Sequence, residues 1–355
     1  MWQILLLILS ITLYSGENSM PTKHFLYEIF QQRNEVKKGK GFTSVSEKAI
    51  IKEINPSSSY REMGCLILAG GQGTRLGIDG PKGCVALPLK EKKTLFQLIF
   101  EKVRKKGAAL SVAIMTSPLN HEATVHYLEE HHFFGLTNVS IFSQEMVPIC
   151  DDEGALVYED NGEISSSPDG NGKALKHLYH SGIWEKWKEK GIKWVQVLPV
   201  DNPLADPFDG EFLAIHEKER VDLVLKCIRR ETPEEKLGVV GVADGKLMIR
   251  EYSELTKRMK DLGFPLGNTG LFSCSMDFVK QSASIEMPWH LARKEGGKEK
   301  VWVWKFETFI FDLFPYANSF KVILSERKKC FAPLKNASGP DSLETVAQAV
   351  MTEKP

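Results

Sequence analysis

From Cys65 onward, short apolar runs alternate with longer stretches in which apolar residues return every three or four positions. The runs CLILAG (65–70), SVAIMTS (111–117), VSIFSQ (139–144), WVQVLPV (194–200) and VDLVLKCI (221–228) have the length and composition of strands. Between them, TLFQLIFEKVRKKG (94–107), LNHEATVHYLEEHHFFG (119–135) and GKALKHLYHSGIWEKWKEKG (172–191) carry the helical period, each closed by a glycine. The alternation predicts an α/β fold, a mixed and mostly parallel sheet with helices on both faces. In such folds ligands sit outside the carboxyl ends of the strands. After about residue 236 the pattern changes. KLGVVGVADGKLMIREYSEL reads as a hairpin turning at Asp244-Gly245, then come a strand (LFSCS), a helix, a strand (VWVWKF) and a helix (ETFIFDLFPYA).

Composition narrows the function. Lys+Arg and Asp+Glu both number 46 in 355 residues, so no bulk field draws the chain to nucleic acid or to an anionic membrane. An anionic ligand must therefore be held by a local site. Six scattered cysteines (65, 84, 150, 227, 274, 330), with no CxxC pair, read as reduced thiols of a cytosolic protein. The N-terminal run MWQILLLILSITLYS is short for a bilayer span and lacks the basic start and small-residue cleavage site of a signal peptide. Met20 offers an alternative start after it.

The first strand candidate ends in LILAGGQGTRLGIDGPKG (66–83), which holds six glycines, one arginine and one lysine. A tight turn alone rarely needs four glycines in eight residues. A dinucleotide fingerprint would ask for an acidic residue at the end of the second strand, where Met-Thr-Ser stands instead. A nucleoside triphosphate cradle fits better. Glycines at 70, 71 and 73, with Thr74, let backbone N–H groups approach phosphate oxygens. Arg75 adds a planar fork and Lys82 a mobile point charge. The GxxxxGK[ST] order of a P-loop is absent. Asp201, in VDNPLADP, stands at a strand end where a carboxylate suits Mg2+, or serves only as an Asx-turn. The histidines at 121, 126, 131 and 132 lack the i, i+4 spacing that would share a zinc ion.

The loop resembles the nucleotidyltransferase signature of the eukaryotic-type UDP-sugar pyrophosphorylases, and GGQGTRLG looks most like the UDP-N-acetylglucosamine pyrophosphorylase branch. Ordered matches continue through FSQEMVPIC, SPDGNGK, LPVDNPLADP, LGVVG, REYSEL, GNTGLF, WKFETFIFDLFPYA and FAPLKNASG, over roughly residues 63–339. The resemblance implies a Rossmann-like nucleotidyltransferase with its catalytic domain over 61–325. A helical lead-in at 20–60 and an apolar segment at 1–19 would precede that domain, and a short segment at 326–355 would follow it. It implies that UTP and N-acetylglucosamine 1-phosphate give UDP-N-acetylglucosamine and pyrophosphate, in the cytoplasm, with Mg2+ or Mn2+ held by Asp201.

By the same resemblance Arg75, Lys82 and Lys305 neutralise phosphate charge. Gly70, Gly71, Gly73, Thr74, Gln144, Gly170 and Asn171 hold the nucleotide, with Gln144 and Gly170 at the uracil. Asn202, Gly238, Glu251, Asn268 and Lys335 face the sugar 1-phosphate. Lys173 departs from the family, which tends to carry a small residue there, and the chain after Ala337 is shorter than is common, leaving the oligomeric state open. Three rivals stay open: a broader enzyme using glucose or galactose 1-phosphate, a non-catalytic nucleotide-sugar-binding protein, and an NAD-dependent oxidoreductase.

Overall fold

The segment MGCLIL at 63–68 shows how the sheet forms: Cys65 and Ile67 join one apolar cluster, and Leu66 between them joins another. Alternate residues of a strand point to opposite faces, so a strand buried on both sides must be covered twice. A computed structural model describes residues 27–30, 41–257, 263–296 and 301–353. The apolar run at 1–19, and residues 20–26 and 31–40 of the lead-in, lie outside the described residues. Among the described residues no helix is long and apolar enough to cross a membrane.

The chain divides into two units. The larger comprises Lys38–Glu145, Gly170–Pro288 and Thr308–Pro355. It holds an eleven-stranded sheet made of β1 (Thr43–Ser44), β2 (Ile50–Ile51), β3 (Met63–Leu68), β4 (Val112–Thr116), β5 (Val139–Ser143), β6 (Trp194–Pro199), β7 (Leu223–Arg229), β8 (Val239–Ala243), β9 (Lys246–Arg250), β10 (Leu266–Ser275) and β11 (Phe320–Ser325). The main order is β2-β11-β7-β10-β6-β3-β4-β5, with β1, β8 and β9 off this path. β6, β3, β4 and β5 run parallel, and so do β7, β11 and β2. β10 alone on the main path runs against its neighbours β6 and β7. The expected α/β fold, mixed and mostly parallel, is the one observed.

Besides the short Arg327–Cys330, seven α-helices of this unit lie wholly within the described residues: α1 (Leu95–Lys106), α2 (His121–Glu130), α3 (Ala174–His180), α4 (Ile183–Glu189), α5 (Gly210–Glu219), α6 (Met276–Ser282) and α7 (Leu343–Thr352). α1 begins at Thr94, whose hydroxyl accepts from Gln97 N at 3.2 Å, and it ends at Gly107. Its Phe96, Ile99, Phe100 and Val103 join Phe212, Leu213 and Ile215 of α5 on one face of the sheet. Leu175 and Leu178 of α3, Trp184 and Trp187 of α4, and Phe278 and Val279 of α6 cover the other. Each such side chain, fully buried, contributes about 1.5–3 kcal/mol.

Three elements depart from the pattern. The helix expected over 172–191 is two helices, because Gly182 takes a left-handed φ of 75° between α3 and α4. The helix expected in ETFIFDLFPYA is a 3-10 helix, Ile310–Tyr316, with Pro315 inside it; proline cannot donate to a regular α-helical ladder. FKVILS forms β11, which the apolar-run reading did not include. The hairpin β8–β9 turns at Asp244 and Gly245 as expected, both with positive φ (50° and 75°).

The smaller unit comprises Met1–Lys37, Met146–Asp169 and Trp289–Glu307. Its described part is a hairpin of His290–Gly296 with Val301–Glu307 and a short pair, Met146–Pro148 with Ser166–Pro168. Phe30, Val147, Cys150 and Phe306 form its apolar centre.

Candidate active site

Because β3, β4, β5 and β6 run parallel, the chain leaves all four at one edge of the sheet. It emits there the glycine loop from β3, Ser117–Asn120 from β4, Gln144 from β5 and Asp201 from β6. β10, running the other way, enters at the same edge with Gly267 and Asn268.

The glycine loop folds back on itself. Gly73 N donates to Gly80 O at 2.9 Å and Lys82 N to Gly71 O at 3.2 Å. Thr74–Leu76 forms one 3-10 turn, with Gly73 before it and left-handed Gly77 after it. Arg75 sits on that turn; its side chain lies outside what the structure describes. Buried Asn120 anchors the loop, since its Nδ2 donates to Ala69 O at 2.9 Å and Gly71 O at 3.2 Å. Its Oδ1 accepts from Ser117 N at 2.9 Å, which fixes the amide's orientation. Sequence reasoning missed Asn120. The only signal was an asparagine at the start of the helix-like stretch 119–135.

Gln144 links this loop to the next station. A Cβ on residue 70 would stand 2.2 Å from Gln144 Oε1, so the amide lies where only glycine leaves room. Gln144 Nε2 donates to Gly170 O at 3.0 Å. Gly170 has φ 83°, and a Cβ there would stand 2.3 Å from Thr308 O. Gly172 N donates to Thr308 O at 3.0 Å, and Asn171 Oδ1 accepts from Ile310 N at 3.0 Å. Gly70, Gln144, Gly170 and Asn171 thus form one connected wall. Lys173 pairs with Glu145 at 3.0 Å, which gives the departing residue a local partner.

Lys82 and Asp201 meet at 3.2 Å, their side chains 16% and 21% exposed. The Lys82 ammonium also donates to Leu334 O at 3.1 Å, while Leu334 N donates to Asp201 O at 2.8 Å. Fully buried Leu334 therefore touches both residues with its backbone and packs its side chain with Leu76, Val85, Val346 and Ala347. The segment after residue 330 is a wall of this site, and Leu334 is a second residue that sequence reasoning missed. Its contribution is backbone, so its side chain carried no signal. Asn202 is fully buried, with Nδ2 donating to Cys330 O at 2.7 Å and Oδ1 accepting from Ala332 N at 3.1 Å. Its amide fastens the 330–332 segment.

Gly238, Glu251 and Asn268 come together at the β10 entry. Asn268 N donates to Gly238 O at 2.8 Å, and a Cβ at Gly238 would stand 3.3 Å from Glu251 Oε1. Glu251 and Glu254 form a reciprocal capping box around Tyr252–Glu254. Asn268 Oδ1 accepts from Gly270 N at 3.0 Å, opposite a register shift between Lys226 and Cys227. Behind that bulge the buried Lys226 ammonium pairs with Asp209 and Glu211, which hold its pKa up against burial. Lys335 lies beyond Leu334, its ammonium 5.7 Å from the Phe331 ring centre and its N donating to Asp341 O at 2.8 Å.

Lys305 belongs to the smaller unit, on the Val301–Glu307 strand. It is half-buried, and burial, reinforced by nearby Lys294, lowers its pKa against the pull of Glu307.

The donor set at Asp201 suits a hard divalent ion. Mg2+ takes one or two carboxylates and fills its octahedron with phosphate oxygens and water. One partly exposed carboxylate beside a glycine loop matches that requirement.

The pattern of the UTP–glucose-1-phosphate uridylyltransferase family matches residues 29–349. A Dictyostelium discoideum protein named "Probable UDP-N-acetylglucosamine pyrophosphorylase" is 33% identical over 330 residues, covering 81% of this chain and 68% of its own length. UDP-N-acetylglucosamine diphosphorylase 2 of Arabidopsis thaliana is 35% identical over 311 residues, covering 78% of this chain and 62% of its own length. The chain thus spans about two thirds of these relatives. Among solved structures, that of the uridine diphosphate N-acetylglucosamine pyrophosphorylase of Trypanosoma brucei, in complex with an inhibitor, superposes with a TM-score of 0.81 at 26% identity. It covers 92% of this chain and 75% of that one.

Proposed function

Since this chain belongs to the UTP–glucose-1-phosphate uridylyltransferase family, we propose that it joins UTP to N-acetylglucosamine 1-phosphate, giving UDP-N-acetylglucosamine and pyrophosphate. The observation that carries this reading is the Lys82–Asp201 pair beside a folded-back glycine loop at the carboxyl edge of parallel strands. The names of the relatives favour the N-acetylated sugar.

The attacking group is a phosphate oxygen, anionic at neutral pH, so no serine, cysteine or histidine needs activation. The obstacle is repulsion between two anions, and catalysis reduces to holding them in line and offsetting charge on the α-phosphate and the departing pyrophosphate. In this reading the glycine loop, Gly70, Gly71, Gly73 and Thr74, approaches the triphosphate with its backbone. Arg75 and Lys82 supply the cations. Gln144, Gly170 and Asn171 hold the uridine, and Gly238, Glu251, Asn268 and Lys335 the sugar 1-phosphate. Asn202, which the resemblance places at the sugar 1-phosphate, is fully buried with its amide bonded to Cys330 and Ala332, so in this reading it serves the sugar site by fixing the 330–332 segment. Lys305 keeps the phosphate-neutralising role that the resemblance implies. Asp201 would hold Mg2+ or Mn2+, which when bound offsets phosphate charge. UTP and sugar phosphates are intracellular metabolites, which supports a cytoplasmic location.

The test incubates the full chain with UTP, N-acetylglucosamine 1-phosphate and Mg2+ and identifies products by mass. Equal amounts of UDP-N-acetylglucosamine and pyrophosphate are expected. UTP left intact by a folded protein would refute the activity.

A further inference from the structure

Lys82 has two acceptors, Asp201 Oδ2 at 3.2 Å and Leu334 O at 3.1 Å. The first is charged, and it is the carboxylate assigned above to the metal. The second is neutral and fixed, because Leu334 is fully buried and its own N–H is tied to Asp201 O. Both charged side chains are largely shielded from water, at 16% and 21% exposure, so their mutual attraction and any repulsion from a third charge are weakly screened. A divalent cation on Asp201 would bring three positive charges against one carboxylate within a few ångströms.

We propose that Lys82 and the divalent cation are alternative partners of Asp201, so that metal entry releases the Lys82 ammonium to a nucleotide phosphate. This rests on the reading of Asp201 as the metal carboxylate. The lysine side chain suits such an exchange. Its ammonium is a compact point charge on a flexible four-carbon stem, while its backbone stays fixed by the bond from Lys82 N to Gly71 O. Leu334 O gives the ammonium a neutral acceptor on leaving the carboxylate, and phosphates give it a charged one. Metal alone must displace Lys82 and binds weakly. Nucleotide draws Lys82 away, so metal and nucleotide each strengthen the other's binding, as reciprocal coupling requires. Lys82 then serves twice, guarding the carboxylate before substrate arrives and neutralising phosphate afterwards.

The test measures binding of Mn2+ alone to the full chain by electron paramagnetic resonance titration. Lys82→Met is expected to bind Mn2+ at least about tenfold more tightly than wild type, Lys82→Arg to stay near wild type, and Asp201→Asn to lose the site. Unchanged affinity in Lys82→Met, with binding lost in Asp201→Asn, would overturn the exchange and leave Asp201 as the ligand. Undiminished binding in Asp201→Asn would overturn both. A second readout needs no variant. Acylation of Lys82 in wild type, followed by peptide mass spectrometry, is expected to rise several-fold on adding Mn2+, and an unchanged rate would contradict the proposal.

Discussion

The ammonium of Lys102 and the carboxylate of Glu353, 251 residues apart, meet at 2.8 and 3.0 Å, and the same ammonium donates to Pro203 O at 2.9 Å. Pro203 lies two residues beyond Asp201, and α7, which ends beside Glu353, packs Val346 and Ala347 in one apolar cluster with Leu334. Lys102 and Leu334 therefore fasten the Asp201 loop from two sides.

Lys102→Met should lower kcat about tenfold while costing only about 1 kcal/mol of stability, as expected for a partly exposed pair. Glu353→Gln should share the loss, and the double variant should be little worse than either, because the two act through one contact. Lys102→Arg should restore part of the rate. Steady-state kinetics alongside urea unfolding decide it: a stability loss with unchanged kcat would remove Lys102 from the positioning of Asp201.

Two glycines should separate folding from phosphate contact. A Cβ at Gly71 meets nothing within 4 Å, whereas one at Gly170 collides with the Thr308 backbone at 2.3 Å. Gly71→Ala is expected to melt with wild type yet raise KM for UTP at least about tenfold, because the methyl intrudes only where the ligand comes. Gly170→Ala should lose about 2 kcal/mol or more in denaturant unfolding. Wild-type KM in Gly71→Ala would place the triphosphate elsewhere.

The loop cations carry the heaviest catalytic demand. Arg75→Ala and Lys82→Ala should each cut kcat by about 100-fold or more, the typical loss on removing a donor to developing charge. Near-native turnover in both would end the assignment.

Acid should weaken the fold before carboxylates titrate. Burial pushes His216 from 6.5 down to about 4, and it does the same to His177, against the pull of Glu145. Between pH 6.5 and 4 the unfolded chain takes up protons that these buried rings refuse, so stability falls as pH falls through that window. For His216 the full loss is about 3 kcal/mol. Urea unfolding at pH 7 and pH 4.5 measures it, and His216→Asn should flatten the decline. An equal slope in that variant would assign the acid sensitivity to other groups.

Much of this architecture is legible in the pattern of residues. β3 to β7 follow from apolar runs, since β3, β4, β6 and β7 are buried on both faces and admit little else, while the half-buried edge strand β5 keeps the same composition. The glycine loop stands out because its residues carry so few side-chain atoms. What stays hidden depends on distant backbone. Leu334 reaches Lys82 and Asp201 through its N–H and C=O, and Lys102 looks like one more basic residue in the last turns of α1. Asn120 is hidden for a related reason. A buried amide that holds the loop reads, in one dimension, like any residue before a helix.

The central claim is tested most directly by giving the full chain UTP and Mg2+ with N-acetylglucosamine, glucose and galactose 1-phosphates in turn and following pyrophosphate release. The account predicts rapid release with N-acetylglucosamine 1-phosphate and kcat/KM lower by at least about tenfold with the other two. Comparable rates with all three would keep the uridylyltransferase chemistry and contradict the sugar assignment of Glu251 and Asn268, and no release with any sugar would contradict the activity itself.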